Sequence, residues 1–495
     1  MARTVPSIIG SRWPALAVLC TGTLMVILDQ TIVNVALPSI QSDLGFTQNG
    51  LAWVVNAYLI AFGGLLLLAG RLGDLLGRKR VFLAGLAVFT TASLLCGVAG
   101  SPEMLIAARF VQGVGGATAS AVILGMIVTM FPQPRELAAA IGVYAFIASA
   151  GASIGLLAGG VLTQTISWHW IFFVNVPVGV ATAVLAVRVL AADHPGHASQ
   201  PERAEGGADV AGAALVTAAL MLGVYTIVET VRYGWTSAHT LGLGAVSAAL
   251  LAGFVARQAT AARPLLPLRV FRSRAVTGAN LVQALMVSGL LGMFFLAVLY
   301  LRQILGYDAL QTGLAFLPVS VGIGTLSLGF SARLNTRFGE RAVLLPGLLL
   351  VGAGLALLTR APVQGDYLID VLPPMLLLGV GAGLAFPAVT SLAMSGATAE
   401  DSGLLSGLAN TTLQVGGALG LSVLATLATS RTNHLLEAGQ PGPVALTGGY
   451  HLAFGVAAAL VLAAVVLGGT VLRPAQVVAE PGPAMDELAA EADAA

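Results

Sequence analysis

The sequence predicts an all-α integral membrane protein with fourteen transmembrane helices: two six-helix repeats and two helices inserted between them. Three observations carry this. The chain is 57% hydrophobic and only 9% charged, against about 25% charged residues in a typical soluble domain. Apolar stretches near the roughly 20 residues needed to cross the hydrocarbon core recur along all 495 residues. A short basic pattern also occurs twice, far apart in the chain. The net charge of +1 gives no reason to expect a nucleic-acid partner. Cys20 and Cys96 both fall in apolar stretches, so neither a disulfide framework nor a metal site is expected. The first stretch has no small-residue cleavage site and is followed by many equal spans, so it reads as a retained helix rather than a leader.

The predicted spans are 14–37, 51–70, 81–99, 103–129, 137–163, 170–190, 210–230, 240–258, 275–300, 310–331, 342–359, 370–393, 402–429 and 450–472. An even number places both termini on one side. Eighteen of the 23 basic residues then share that side, four lie opposite, and Arg109 lies inside a span. By the positive-inside bias both termini are cytoplasmic. The domains follow: a six-helix bundle over 1–190, a cytoplasmic loop over 191–209, two inserted helices over 210–258, a basic cytoplasmic loop over 259–274, a second six-helix bundle over 275–472, and an acidic tail over 473–495. The 191–209 loop is polar and rich in Gly and Pro, as linkers are. The tail carries Glu480, Asp486, Glu487, Glu491 and Asp493, a solvated composition.

The repeat is visible in two loops. Gly70-Arg71-Leu72-Gly73-Asp74-Leu75-Leu76-Gly77-Arg78-Lys79-Arg80 follows span 2, and Ala332-Arg333-Leu334-Asn335-Thr336-Arg337-Phe338-Gly339-Glu340-Arg341 follows span 10. Both read small-Arg-Leu, four residues, Gly, one residue, base, at an offset of 262. Upstream, Leu44-Gly45-Phe46 after span 1 echoes Leu305-Gly306-Tyr307 after span 9. Parallel six-helix repeats are one way transporters build alternating access around a midplane site.

Two charged residues lie within spans. A carboxylate at membrane depth costs roughly 2.5–3.5 kcal/mol on insertion scales, which makes Asp29 functional by default. A carboxyl that takes up a proton in a protein-lined cavity is a natural proton carrier. Asp29 lies roughly 24 Å along span 1 from the cytoplasmic side, and Arg109 lies roughly 9 Å along span 4 from the outside, at 1.5 Å per residue. Their similar depth predicts one shared polar compartment facing a central cavity. A nearby guanidinium favours the ionised carboxylate and burial favours the protonated one, a balance that small rearrangements can tip.

The chain resembles the major facilitator superfamily, most closely its fourteen-helix drug:proton antiporters. Four motifs carry the resemblance over roughly 14–430: Leu28 to Pro38 on helix 1, Gly70 to Arg80 after helix 2, Arg109-Phe110-Val111-Gln112-Gly113-Val114-Gly115-Gly116 on helix 4, and Trp168 to Gly179 at the entry to helix 6. Two positions depart from the family pattern. In Gly151-Ala152-Ser153-Ile154-Gly155-Leu156-Leu157-Ala158-Gly159-Gly160, Leu156 stands where the antiporter motif has proline, which weakens the expected kink. His169 stands where the family usually has arginine.

The resemblance implies a proton-driven exporter of lipophilic drugs or an antibiotic, working by alternating access in the cell membrane as a monomer. It implies no enzymatic activity and no cofactor, with protons as the coupling ion. Asp29 and Arg109 are the implied coupling residues. Gly70, Asp74, Gly77, Arg78, Arg333, Gly339 and Arg341 form the implied gating loops, which also set topology. Gly151, Gly155, Gly159 and Gly160 allow close helix packing. Polar and aromatic residues on the spans expected to line the cavity are Gln30, Asn34, Asn56, Tyr58, Gln112, Tyr144, Phe146, Asn280, Gln283, Phe294, Asn410 and Gln414; each can equally serve helix–helix contact. No Walker-type phosphate loop is present in the sequence, so ATP is not the expected energy source. Proton-coupled uptake or export of a specific metabolite, and a non-transporting membrane sensor, stay open as alternatives.

Overall fold

The structure is a computed structural model that describes residues 12–47, 50–131, 133–190, 209–262, 264–394 and 402–472. The polar 191–208 part of the predicted linker and the acidic tail from 473 lie outside these residues, as do the side chains of Asp74 and Phe146.

The N-terminal set comprises α1 (Arg12–Leu44), α2 (Ala52–Leu76), α3 (Arg78–Gly97), α4 (Pro102–Met130), α5 (Pro134–Thr165), the single turn α6 (Trp170–Phe173) and α7 (Asn175–Val189). Two helices follow, α8 (Val210–Tyr233) and α9 (Ala238–Thr260). The C-terminal set comprises α10 (Arg274–Leu299), α11 (Ala309–Ala315), α12 (Leu317–Thr325), α13 (Ser331–Phe338), α14 (Glu340–Leu358), α15 (Leu372–Ala393), α16 (Ser402–Glu437) and α17 (Gly442–Thr470). Single π-helical turns extend α10, link α12 to α13 and precede α15.

Twelve helices among the described residues are long and apolar enough to cross a bilayer. The predicted fourteen included two others that differ in form. Predicted span 5 falls in α5, where only Ile154–Thr165 appears among the shorter apolar helices; predicted span 10 is broken at Phe316, leaving the shorter apolar run Ala309–Thr325. Pro318 at the start of α12 supplies no backbone N–H for continuing α11. α5 itself runs unbroken through Leu156.

Within the N-terminal set α4 packs on α2 and α3, and α1 on α5; within the C-terminal set α14 packs on α15, and α10 and α17 pack on α16. The two sets meet where α2 lies along α16 and α5 lies against α11. α8 covers the α2–α16 seam and α9 packs on α8. The contact is close: a Cβ on Gly64 would stand 2.5 Å from Thr217 Oγ1, and Thr426 Oγ1 donates to the Ile227 carbonyl at 3.3 Å. Gly45 and Gly306, the paired turn glycines, both have φ of 71°, and Gly77 and Gly339 have φ of 97° and 84°. That left-handed region is open to glycine without steric cost.

Candidate functional site: a buried ion pair in the N-terminal helices

Glycines bring α4 close enough to build the site. Ser101 caps α4 through its Oγ, which accepts from the Met104 N–H at 3.2 Å, and Pro102 opens the first turn. Further along, a Cβ on Gly113 would stand 2.5 Å from the Tyr58 carbonyl oxygen, and one on Gly115 would stand 2.4 Å from the Phe89 nitrogen. α2 and α3 therefore approach α4 backbone to backbone. Arg109 and Gln112, three residues apart, share one face of α4.

That face meets Asp29. Arg109 Nη1 donates to Asp29 Oδ2 at 2.6 Å, and Gln112 Nε2 donates to Oδ1 at 2.8 Å. Asn175 Nδ2, at the first residue of α7, donates to the same Oδ1 at 2.9 Å. Gln112 Oε1 accepts from Arg109 at 2.7 Å, so the glutamine bridges both members of the pair. Ser93 Oγ accepts from Gln112 and Asn175 and donates to the Phe172 carbonyl at 2.9 Å. Arg109 Nε donates to the Val54 carbonyl at 3.0 Å, and its guanidinium carbon lies 4.4 Å from the Tyr58 ring centre. Asp29 and Arg109 are 0% and 1% exposed.

The cluster thus joins α1, α2, α3, α4, α6 and α7 around one carboxylate. A buried charge is tolerable when paired and fully hydrogen-bonded. The predicted shared compartment is here, but it is sealed inside the N-terminal set and does not open onto a cavity as the sequence had suggested. Gln112, expected on a cavity wall, serves the carboxylate instead. Asn175, Ser93 and Phe172 were not predicted as site residues. The lone asparagine in Phe173-Val174-Asn175-Val176-Pro177 was the available signal, because an amide among apolar residues needs buried partners.

The other candidates are scattered. Asn56 is buried in the α2–α16 seam and donates to Ser422 Oγ at 2.8 Å, its own Oδ1 left without a partner. Gln30 donates to the Tyr58 hydroxyl at 3.5 Å, whereas Asn34 bonds back to the Gln30 carbonyl of its own helix. Asn280 accepts from Thr412 at 2.9 Å, and Phe294 stacks on Phe316 at 5.4 Å. Gln283 and Gln414 are buried, and Gln283 Oε1 has no partner. Tyr144 is partly buried, and Asn410 is exposed and bonded to its own helix.

In the first loop, Arg78 Nη1 donates to the Gly125 carbonyl at 2.7 Å and Lys79 reaches the Val187 and Leu190 carbonyls. A Cβ on Gly70 would meet open space. In the second loop Arg333 is exposed and Arg341 donates to the Gly469 carbonyl. Gly151, Gly155 and Gly159 face α1, where a Cβ on Gly155 would stand 2.0 Å from Thr31 Oγ1. Gly160 faces α11, with the Ala309 carbonyl oxygen 2.7 Å from where its Cβ would be. Leu156 lies at that same contact, its carbonyl oxygen 2.8 Å from the corresponding point on Gly313.

Twelve membrane-length apolar helices among the described residues, in two sets of which the N-terminal one encloses a buried ion pair, define a multi-pass membrane protein. Residues 19–421 match the Major Facilitator Superfamily, and the chain belongs to that family. It is accordingly a transporter and not an enzyme, which sets aside the sensor reading. It is 37% identical over 459 residues to the puromycin resistance protein pur8 of Streptomyces alboniger, covering 92% of this chain and 90% of that one. It is 37% identical to the cephamycin export protein CmcT of Amycolatopsis lactamdurans, covering 85% of each chain. The tetracenomycin C resistance and export protein of Streptomyces glaucescens is 34% identical, over 85% of this chain and 77% of that one. The fold is similar to an auto-inhibited POT family peptide transporter, with a TM-score of 0.68 at 15% identity, covering 93% of this chain and 99% of that one.

Proposed function

We propose that this chain is a proton-driven exporter of lipophilic small molecules, exchanging drug for proton by alternating access. The observation that carries the reading is the buried carboxylate of Asp29, held by Arg109, Gln112 and Asn175. Its proton state is coupled to helices α1, α4 and α7, so protonation weakens three contacts at once and frees those helices to rearrange. The names of the relatives, which are resistance and export proteins for antibiotics, support the substrate class. One charge moved down 100 mV supplies about 2.3 kcal/mol, enough for a useful gradient.

The proposed topology has fourteen spans and both termini cytoplasmic. α5, with 32 residues, is about 48 Å long and can span the bilayer. The α11–α13 region is read as the other, broken span. The six-helix bundles are 1–190 and 275–472, with 210–258 inserted. On this topology three hydrogen bonds between the two sets lie at their outer ends. There Arg302 Nη2 donates to Ser39 Oγ at 3.3 Å, Gln303 to Gln41 at 3.2 Å, and the Ala309 N–H to Gln164 at 3.4 Å. Opening to the outside breaks these contacts. Monomeric function and a cell-membrane location complete the reading.

The test is a proteoliposome assay with an internal pH reporter and an imposed proton gradient, using puromycin and a panel of other lipophilic antibiotics. Substrate-dependent proton movement with drug accumulating against the proton flow supports export. Accumulation in the same direction as the protons would replace antiport with uptake.

A further inference from the structure

The segment between α9 and α10 concentrates positive charge that the transport reading does not use. Five arginines lie from Arg257 to Arg274, and no Asp or Glu occurs between Glu229 and Asp308. Arg257 is held from the start of α8: Asp209 accepts from Arg257 Nε at 2.5 Å and from Gln258 Nε2 at 3.0 Å. Gln258 Oε1 in turn accepts from the Leu266 N–H at 3.0 Å. These bonds fix the start of the segment against the ends of α8 and α9.

A 3-10 turn, Leu268–Arg272, follows. Leu266 and Val270 pack against Val276, Leu405 and Leu408, which seats one face of the segment on α10 and α16. The other face presents Arg269, Phe271, Arg272 and Arg274, all exposed, with Phe271 39% exposed. α9 and α10 are both long and apolar enough to cross a membrane. The segment that joins them is too short to cross again, so it lies at one membrane surface. An exposed aromatic ring amid three guanidinium groups, on a short amphipathic turn, has the composition of an interfacial anchor.

We infer that Arg269, Phe271, Arg272 and Arg274 form a seat for the headgroup of an anionic phospholipid. The planar guanidinium groups offer paired donors to the phosphate oxygens, and the Phe271 ring enters the boundary of the acyl chains. Because the same segment is tied to Asp209 and packed on α10 and α16, the bound lipid anchors the inserted α8–α9 pair beside the C-terminal helices. The acidic tail offers rival carboxylates, but it accounts for the arginines alone and leaves the exposed Phe271 without a purpose.

The experiment uses the full chain, purified and partly delipidated, then exchanged into nanodiscs of phosphatidylcholine with a minor fraction of phosphatidylglycerol. Lipid retained on re-extraction is counted for wild type, for Arg269→Gln/Arg272→Gln/Arg274→Gln, and for the corresponding triple Lys variant. Thermal melting shows that each variant is folded. Enrichment of phosphatidylglycerol on wild type, reduced about tenfold or more in the Gln variant and largely kept in the Lys variant, is the expected result. Equal enrichment in all three would overturn the proposal. So would enrichment that appears only after the five tail carboxylates are neutralised, which would assign the seat to the tail. Loss of enrichment in millimolar inorganic phosphate would assign it to free phosphate.

Discussion

Lys79 and Arg341 hold the same place in two turns 262 residues apart, and each grips the carbonyl end of the last helix of its own set. Lys79 Nζ donates to the Leu190 carbonyl at 2.5 Å and the Val187 carbonyl at 3.0 Å, and Arg341 Nη2 donates to the Gly469 carbonyl. A cation there satisfies carbonyls that have no partner in the helix and complements the helix dipole. The repeated glycine before each base provides the left-handed turn that aims it. The repeat is thus a structural device as well as a sequence pattern.

Removing either cation exposes its cost. Lys79→Gln and Arg341→Gln each lower stability by about 0.3–1 kcal/mol, and up to roughly 2 where the site is partly buried. Arg341→Lys loses less than Arg341→Gln. Thermal melts in one detergent check this; an unchanged melting temperature in both Gln variants would remove the capping role.

Backbone contact sets the tolerance of the helix 4 glycines. A Cβ on Gly115 stands 2.4 Å from the Phe89 nitrogen, and the backbone of α3 has no rotamer to yield. Gly115→Ala therefore costs about 1–3 kcal/mol. Gly242, with nothing within 4 Å of its added Cβ, is the matched control, and Gly242→Ala leaves stability unchanged or slightly raised. Expression level and melting temperature of the two variants make the comparison.

The Asp29–Arg109 pair is costly to break and less costly to delete. Asp29→Leu or Arg109→Leu alone leaves one charge buried without its partner, a loss of roughly 3–5 kcal/mol. The double variant Asp29→Leu/Arg109→Leu recovers much of that stability while transport stays absent. Melting curves of the two single variants and the double form a cycle; a double variant less stable than both singles would show that the pair is not the dominant buried interaction.

Acid sensitivity localises to Asp209, outside the spans. Burial raises its carboxyl pKa, but hydrogen bonds from Arg257, the Gly212 N–H and Gln258, with the Arg257 charge, outweigh that and hold it below the usual carboxylate range. Its folded pKa lies below the unfolded value of about 3.9, so its stabilisation is complete above that value and is lost as pH falls through the folded pKa. The stability difference between wild type and Asp209→Asn is therefore flat above about pH 4 and narrows below it. Melting temperatures from pH 3 to 6 give the profile; a difference that narrows as pH rises would reverse the assigned shift.

Much of this was legible in the sequence because membrane burial leaves coarse marks. Long apolar runs located the helices, and the glycine-bounded basic loops exposed the repeat. Asp29 and Arg109 were visible because charges are scarce in spans. Asn175 and Ser93 were harder to find, because amides and hydroxyls occur throughout such helices and only packing tells which face a carboxylate. The break at Phe316 had a signal in Pro318, but hydropathy does not register it, because Phe316-Leu317-Pro318 is as apolar as an unbroken span. The sealed state of the pair also depends on how α4 and α7 close over it, which no spacing records.

The central claim is that Asp29 carries the coupling proton. Asp29→Asn keeps the shape of the side chain and imitates the uncharged form, but it leaves Arg109 without its counter-charge, so the comparison is made on folded protein only. The decisive measurement is substrate-dependent proton flux in proteoliposomes containing equal amounts of folded wild type and Asp29→Asn. Flux in wild type and its loss in the variant, with substrate binding retained, is the predicted result. Drug-coupled proton flux undiminished in the Asn variant would contradict the claim and place the coupling site elsewhere.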